Sequence, residues 1–375
     1  MISPKFFIET LAANNINFFT GVPDSLLKNV CAYITDNSVP ENNIIAANEG
    51  GAVGLAAGYY LATGKIPVVY MQNSGEGNII NPLMSLTDKE VYNIPLLLLI
   101  GWRGEPGTKD EPQHVKQGKV TLSLLETMGI KYEILSKEEE ECISQLERAK
   151  NYMEETKEAF ALIVQKGAFD NYELQKKTDT IFPLNREEAI QIVTSTIEDD
   201  SVIVSTTGMI SRELFEYRES IHEGHEKDFL TVGSMGHASQ IALGIALQKK
   251  NRKVYCFDGD GAMLMHMGSL AITASMRPSN YIHIVFNNGA HDSVGGQPTV
   301  GFRVNLPQIA EACGYMKVFS VTDKGNLRHV LGLIKKISGP ILLEIKVNKG
   351  YRKNLGRPTT TTIQNKEALM LFLSK

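Results

Sequence analysis

Apolar runs of strand length alternate with helix-length segments along the whole chain. The runs are rich in Val, Ile and Leu: Asn17–Val22, Pro67–Gln72, Pro95–Gly101, Phe160–Gln165, Ser201–Thr207, Val254–Phe257, His283–Phe286 and Pro340–Val347. Continuous apolar runs separated by helices are typical of parallel strands that are buried on both faces. The pattern predicts an α/β protein built from open parallel sheets covered by helices.

A helix of small residues, a strand and a glycine-bearing turn occur together twice. Gly50–Gly58, Pro67–Tyr70 and Gln72–Gly75 form the first copy, and Gly236–Gly244, Lys253–Cys256 and Asp258–Gly261 form the second. The offset stays at 186 residues, as from Gly50 to Gly236. Small residues suit any close helix–sheet packing, so chance recurrence is the alternative, but the shared register favours two related domains. We expect these domains at 1–168 and 185–375, with a linker at 169–184.

Composition narrows the functional classes. The 375 residues are 43% hydrophobic and 21% charged, which fits a soluble globular protein with room for two cores. A net charge of -4 gives no electrostatic case for nucleic acid, and no apolar run reaches the roughly 18 residues of a membrane span. The four cysteines lie far apart, and no export signal is visible at the start, so we expect a cytoplasmic protein with free thiols.

Two strand ends carry candidate metal ligands. Gly259-Asp260-Gly261 follows one buried run, and Asn287-Asn288 ends another. Ligands of open parallel sheets bind beyond the carboxyl ends of the strands, and Mg²⁺ prefers oxygen ligands that it shares with phosphates. The glycines leave backbone N–H groups accessible to phosphate oxygens. Gly-Asp-Gly alone is often only a loop, and a Rossmann nucleotide site is the competing interpretation, but no GxGxxG follows a strand.

The spacing of these two turns resembles the motif of thiamine-diphosphate enzymes, because Asn288 follows Asp260 by 28 residues. The resemblance implies thiamine diphosphate and Mg²⁺ as cofactors, with Asp260 and Asn288 as side-chain metal ligands and Ala290 as a carbonyl ligand. We expect further contacts to the cofactor from residues at strand ends and in turns, namely Thr207, Gly208, Gly259, Gly261 and Ala262.

Glu49 stands directly before the first glycine- and alanine-rich helix. A glutamate at a helix start is often only a surface residue, because the helix dipole favours it there. The resemblance implies instead that Glu49 binds the pyrimidine nitrogen of the cofactor and promotes its activation. It also implies that Met235, between Gly233-Ser234 and Gly236, is an apolar wedge between the cofactor rings, with the Gly233 carbonyl accepting from the exocyclic amine. Core packing is the alternative role for Met235.

A closer resemblance, to the phosphonopyruvate decarboxylase family, extends over essentially the whole chain. Its segments are Gly21–Ser25, Gln72–Gly75, Arg103–Gly107, Asp110–His114, Asn288–Gln297 and Leu355–Pro358. The third, middle domain of pyruvate decarboxylase-type enzymes has no room here. The resemblance implies decarboxylation of phosphonopyruvate to phosphonoacetaldehyde and CO₂, a step in phosphonate biosynthesis. Sulfopyruvate or another 2-oxo acid is the alternative substrate, and a non-catalytic cofactor-binding or scaffolding chain is the alternative class.

The substrate-binding residues are expected mainly in the first half. Asp24 and His114 are candidate proton donors, with Ser25 beside them. A phosphonate dianion requires guanidinium or ammonium donors, which makes Arg103 the first candidate, although most arginines are solvated surface residues. His291 and Asp292, after the metal turn, are expected to line the pocket.

Glu49 and Asp260 lie in different halves of the repeat, so one cofactor has to bridge two domains. In relatives those domains come from different chains. We therefore expect a homo-oligomer, at least a symmetric dimer, with its sites at subunit interfaces.

Overall fold

The computed structural model describes residues 1–176 and 179–375, in two compact units, Met1–Lys177 and Thr178–Lys375. The boundary falls inside the predicted linker 169–184, of which residues 177 and 178 lie outside the described residues. Parts of the linker are hydrogen-bonded to the units. Gln175 donates its backbone N–H to Asp36 in the first unit, and Phe182 donates its backbone N–H to Asn348 in the second. The exact domain limits stay a prediction.

The first unit contains a six-stranded parallel sheet in the order β2-β1-β3-β4-β6-β5. Its strands are β1 (Phe19–Gly21), β2 (Asn43–Ile45), β3 (Val68–Gln72), β4 (Leu97–Gly101), β5 (Lys131–Ile134) and β6 (Phe160–Val164). Its helices are α1 (Pro4–Ala13), α2 (Lys28–Asn37), α3 (Glu49–Thr63), α4 (Glu76–Pro82), α5 (Pro112–Thr127) and α6 (Glu139–Thr156). Successive residues of β3 enter opposite cores: Tyr70 packs with α1, α2 and α6, and Met71 with α3, α4 and α5.

The second unit contains another six-stranded parallel sheet, in the order β13-β14-β10-β9-β7-β8, and a separate antiparallel pair, β11 with β12. The strands are β7 (Val202–Ser205), β8 (Asp228–Leu230), β9 (Val254–Gly259), β10 (Tyr281–Asn287), β11 (Ala290–His291), β12 (Gln297–Pro298), β13 (Lys317–Val321) and β14 (Ile341–Lys346). The helices are α7 (Arg186–Thr194), α8 (Met209–Ser220), α9 (Ala238–Gln248), α10 (Asp260–Met265), α11 (Ser269–Met276), α12 (Leu306–Cys313), α13 (Lys324–Ile334) and α14 (Thr362–Ser374). Of the helices in the described ranges, none has the length and apolar character to cross a membrane.

The two sheets have the same topology. Read from its other edge, the second sheet runs β8-β7-β9-β10-β14-β13, which matches β2-β1-β3-β4-β6-β5 strand for strand. The small-residue helices α3 and α9 occupy equivalent places, each before the third strand of its sheet in that order. The prediction of two related, helix-covered parallel sheets is confirmed.

All eight predicted runs contain an observed strand, and within the two six-stranded sheets the four strands without a predicted run are the sheet edges β2, β5, β8 and β13. An edge strand is covered on fewer sides, so its sequence need not be continuously apolar. β5 shows this directly, because Lys131 and Ile134 are exposed and the two residues between them are half-buried. The apolar pattern therefore identifies the sheet centres, where the candidate ligands lie.

Candidate functional site

The carboxyl ends of β9 and β10 bring Asp260 and Asn288 together. The strands are parallel neighbours with Gly259 opposite Phe286, so the residues that follow them emerge at one edge of the sheet. The backbone N–H of Asn288 donates to Oδ1 of Asp260 at 3.4 Å. Both side chains are buried, at 2% and 3% exposure. The two predicted metal ligands are thus adjacent although 28 residues separate them in sequence.

The donors at this turn fit a hard divalent cation. They are the Asp260 carboxylate, the Asn288 amide oxygen and the Ala290 carbonyl, all oxygen ligands of the kind that Mg²⁺ prefers. Among the described residues, no Lys or Arg forms an ion pair with Asp260. Burial raises the pKa of Asp260 to about 6, against hydrogen bonds from Thr299 and Asn288 that favour the ionised form. A bound cation would compensate this buried charge.

The two adjacent asparagines have different surroundings. Asn287 is held at both ends of its amide: Nδ2 donates to Gly301 O at 2.8 Å and Glu344 Oε1 at 2.7 Å, and Oδ1 accepts from Gly289 at 3.1 Å. Asn288 donates Nδ2 to Asp292 at 2.7 Å, and among the described residues its Oδ1 accepts only the Ala290 backbone N–H, at 3.1 Å. An amide oxygen has two lone pairs, so Asn288 Oδ1 keeps one for a ligand.

A loop that the sequence analysis did not single out closes over Asp260. The Thr299 hydroxyl donates to Asp260 Oδ2, and Gly301 packs against the same carboxylate. A Cβ on Gly301 would lie 2.4 Å from Asp260 Oδ2 and 2.6 Å from Asn287 Oδ1, so only glycine fits there. The glycine-rich stretch before it, Gly295-Gly296, was the available signal in the sequence.

The predicted diphosphate contacts surround this turn. Gly259 is the last residue of β9, and Asp260, Gly261 and Ala262 form the first turn of α10. Gly208, at φ +98°, immediately precedes α8, and Thr207 beside it donates its hydroxyl to Val232 O at 2.8 Å. Their roles toward the cofactor stay predictions.

Met235 lies in a tight turn whose conformation is fixed by its neighbours. Ser234 has φ +50° and Gly236 φ +83°, both left-handed. A Cβ on Gly236 would lie 2.6 Å from the His266 ring, so this position requires glycine for space as well as conformation. Met235 and Gly233 are half-buried, and their contacts with the cofactor rings stay a prediction.

His291 and Asp292 lie beside the metal turn and differ in character. His291 is half-buried and packs against Gly261, where a Cβ would be 3.0 Å from its ring. Burial lowers the pKa of His291 to about 4, so its ring is neutral at pH 7. Asp292 accepts from Arg186 at 2.8 Å as well as from Asn288, so this carboxylate is already engaged within the protein.

In the first unit, Glu49 occupies the first turn of α3, where Asn48 caps the helix by accepting from Gly51 at 2.8 Å. Glu49 is only 5% exposed, so it is not the ordinary surface residue of the alternative interpretation. Asn78 donates to its Oε2 at 2.6 Å. A Cβ on Gly75 would lie 2.6 Å from the Glu49 side chain, so Gly75 and Asn78 together fix this carboxylate.

The predicted substrate residues of the first unit form one cluster at the ends of β3 and β4. Asp24 is fully buried and accepts from Gln72 at 2.6 Å and from the backbone of Leu26 at 2.8 Å. Burial raises the pKa of Asp24, against these hydrogen bonds and the nearby charge of Arg103. Ser25 contacts both Asp24 and Arg103. Its hydroxyl lies 3.4 Å from Asp24 Oδ1 and accepts from Arg103 Nη1 at 2.6 Å.

Arg103 is held by a carboxylate that the sequence analysis did not assign. Its Nε and Nη2 donate to the two oxygens of Asp110 at 2.8 and 2.5 Å. Burial opposes ionisation of Asp110, but the hydrogen bonds from Arg103 and Gly104 hold its pKa below the usual value. The fork geometry orients the guanidinium rigidly.

His114 completes this cluster from the buried face of α5. It is 7% exposed, and its Nδ1 has no hydrogen-bond partner among the described residues. Burial, with the positive charge of Arg103, lowers the pKa of His114 to about 4. The imidazole is therefore neutral at pH 7, with one ring nitrogen unpaired.

Glu76, which the sequence analysis did not assign, is a buried carboxyl without an ion-pair partner among the described residues. It begins α4, one residue after Gly75, and is fully buried. Neither carboxylate oxygen has a hydrogen-bond partner among the described residues. Burial raises the pKa of Glu76 to about 8, only partly offset by the neighbouring Thr121 hydroxyl. At neutral pH the folded chain holds this group mostly as a neutral acid.

Comparison with known proteins identifies the class. The N-terminal TPP binding domain of thiamine pyrophosphate (thiamine diphosphate) enzymes matches residues 4–124, and the C-terminal TPP binding domain matches residues 206–345. A phosphonopyruvate decarboxylase of Streptomyces viridochromogenes is 30% identical over 100% of this chain and 96% of its own. A phosphonopyruvate decarboxylase of Streptomyces hygroscopicus is 31% identical over 96% and 90%. A sulfopyruvate decarboxylase of Methanosarcina acetivorans is 33% identical over 84% of each chain.

The chain belongs to the thiamine pyrophosphate enzymes and, within them, to the family that includes phosphonopyruvate decarboxylase. It is a thiamine-diphosphate-dependent carboxy-lyase that acts on a 2-oxo acid.

The unpaired Glu76 predicts a pH-dependent loss of stability. Between the unfolded pKa of 4.5 and the folded pKa of about 8, the folded chain binds a proton that the unfolded chain releases, so stability falls as pH rises through this window. Glu76→Gln removes this dependence. We expect the Tm of Glu76→Gln to exceed that of the wild type at pH 8, with a smaller difference near pH 5.5, in thermal unfolding followed by circular dichroism.

The matched control is Glu90→Gln, because Glu90 is exposed. Its Tm should follow that of the wild type at both pH values. An equal Tm difference for Glu76→Gln at the two pH values would contradict the assigned pKa shift.

Proposed function

We propose that the chain decarboxylates phosphonopyruvate to phosphonoacetaldehyde and CO₂ with the help of Mg²⁺, as a step in phosphonate biosynthesis. The observation that carries the substrate is the cluster of Ser25, Arg103 and Asp110, which presents an oriented guanidinium beside buried Asp24. The near full-length similarity to two phosphonopyruvate decarboxylases supports the same substrate.

The second unit would hold the diphosphate end of the cofactor. Asp260, Asn288 and the Ala290 carbonyl would bind Mg²⁺, which in turn would bind the diphosphate oxygens. Thiamine diphosphate, when bound, supplies the electron sink that allows the substrate carboxylate to leave as CO₂. Glu49 would bind the pyrimidine end, with Gly75 and Asn78 keeping its carboxylate in position.

Of the two candidates for proton transfer, His114 has the side chain that is less occupied by hydrogen bonds. Both oxygens of Asp24 already accept hydrogen bonds from Gln72 and Leu26, whereas Nδ1 of His114 is unpaired. His114 would hold or transfer a proton at Nδ1, and Asp24 would keep Ser25 and Gln72 in position. Arg103 would bind the phosphonate with the two N–H groups that Asp110 and Ser25 leave available.

Sulfopyruvate is the second candidate substrate, and one observation favours it. Asp110 already neutralises the Arg103 charge, and the resulting pair suits a singly charged sulfonate better than a phosphonate dianion. The sulfopyruvate decarboxylase similarity, 33% identity over 84% of each chain, points the same way.

We further propose that the chain forms a homo-oligomer through α3. The helix has no charged residue after Glu49, and its outward face is formed by exposed small and apolar residues: Gly51, Gly54, Leu55, Gly58, Leu61 and Ala62. Such a face is unusual on a solvated helix, since it offers close backbone approach and no charge. A second copy of the chain is the proposed partner.

Glu49→Gln should leave cofactor binding intact and reduce turnover. The amide keeps the size of the side chain but removes the carboxylate that exchanges a proton, a group whose loss costs about 10²- to 10⁴-fold in rate. We expect a kcat decrease in this range with thiamine diphosphate affinity within threefold of the wild type, measured by CO₂ release and calorimetry. The exposed Glu147→Gln is the matched control, and unchanged turnover of Glu49→Gln would refute the activating role.

Phosphonopyruvate should be the best substrate in a side-by-side assay of CO₂ release with sulfopyruvate and pyruvate. We expect kcat/KM for phosphonopyruvate to exceed that for sulfopyruvate at least tenfold, equivalent to about 1.4 kcal/mol. Pyruvate, which lacks the second anion for Arg103, should be poorer than both. A higher kcat/KM for sulfopyruvate than for phosphonopyruvate would contradict the proposed substrate and favour sulfopyruvate.

Gly54→Glu should separate the subunits without unfolding them. A Cβ at Gly54 meets nothing within 4 Å, so the added side chain has room in the single chain. A negative charge at this position would oppose the packing of a second copy of the chain against α3. We expect light scattering with size-exclusion chromatography to shift from a multiple of 41.4 kDa toward that mass.

Gly332→Glu is the matched control, because Gly332 is also an exposed helical glycine with open space around it. It should keep the wild-type mass. A wild-type chain that already elutes as a monomer would rule out the proposed interface.

A further inference from the structure

A buried ion network lies behind the proposed magnesium ligand Asn288. Asp292 Oδ2 accepts from Asn288 Nδ2 at 2.7 Å, from Arg186 Nη1 at 2.8 Å and from the Gly350 backbone N–H at 3.0 Å. Arg186 also forms a bidentate pair with Glu213, with both distances 2.9 Å. The side chains of Arg186, Glu213 and Asp292 are 5%, 2% and 9% exposed.

This network determines which end of the Asn288 amide faces the turn. A side-chain amide can rotate by half a turn, but only its NH₂ end donates a hydrogen bond. Asp292 Oδ2 accepts from Asn288, Arg186 and Gly350, so it acts as an acceptor and selects the NH₂ end of Asn288. The oxygen is then left at the other end, where it accepts the backbone N–H of Ala290.

Arg186 holds Asp292 in position. Its planar guanidinium donates Nε and Nη2 to Glu213 and Nη1 to Asp292, a geometry that lysine cannot reproduce. The arginine begins α7, 106 residues before Asp292 in sequence, so it ties this helix to the loop after β10.

We propose that Asp292 and Arg186 are positioning residues that orient the Asn288 amide oxygen toward Mg²⁺. The proposal rests on the magnesium site of the proposed function. Neither side chain needs to touch the metal: Asp292 acts through the Asn288 amide and Arg186 through Asp292. Groups that orient metal ligands in this way typically change metal affinity by about 10- to 100-fold when removed.

The test is Asp292→Asn, with Mg²⁺ binding measured by calorimetry at saturating thiamine diphosphate. An asparagine at 292 keeps the shape but can both donate and accept, so it no longer selects one orientation of Asn288. We expect the Kd for Mg²⁺ to rise about tenfold or more. Arg186→Lys should also raise the Kd for Mg²⁺. This second variant tests the proposal if Asp292→Asn does not fold.

The matched control is Asp228→Asn. Asp228 is also buried and pairs bidentately with an arginine, Arg218, at 2.9 and 3.0 Å, but it has no hydrogen bond to the metal turn. This variant should lower the Tm and change the Kd for Mg²⁺ less than twofold. If Asp292→Asn behaved in the same way, the network would be structural only and the inference overturned. A wild-type chain that did not bind Mg²⁺ would instead refute the magnesium site itself.

Discussion

The parallel pairing of β9 with β10 is the constraint on which the second unit depends. Their register places Gly259 opposite Phe286, and the residues that follow therefore emerge at the same sheet edge. Asp260 and Asn288 meet there because each strand is buried on both faces and cannot shift without exposing its core residues. The short turn between β10 and β11, with Gly289 at φ +64°, then brings Ala290 to the same place.

One topology is used twice with different polar residues at equivalent strand ends. Ser74 stands where the second unit has Asp260, and Glu49 stands where it has Met235. Ser74 only donates to Gln72 within its own unit, at 2.8 Å, and Glu49 is fixed by Asn78. The sheet thus supplies a constant scaffold, and a few substitutions at its carboxyl edge give the units different chemistry.

Buried charges in both units are held by partners rather than left to solvent. Asp110 pairs with Arg103 in the first unit, and Glu213 and Asp292 share Arg186 in the second. Such pairs add little net stability, since desolvation offsets the attraction, but they restrict orientation strongly. Asp24, Asp260 and Glu76 differ: none of them forms an ion pair among the described residues, and burial raises all three pKa values.

The sequence by itself determined the central strands, the duplication, the family and the pairing of Asp260 with Asn288. These follow from local patterns: continuous apolar runs, a constant offset, and a turn motif whose spacing is set by two short helices and one strand. Only the tertiary structure decided the half-exposed edge strands, the engagement of Arg103 by Asp110, and the burial of Glu76 without a partner. It also decided that Arg186 reaches Asp292 across 106 residues. The physical reason is that an edge strand has no continuous apolar signal, and the partner of a buried charge is chosen by three-dimensional packing, which residue types alone do not encode.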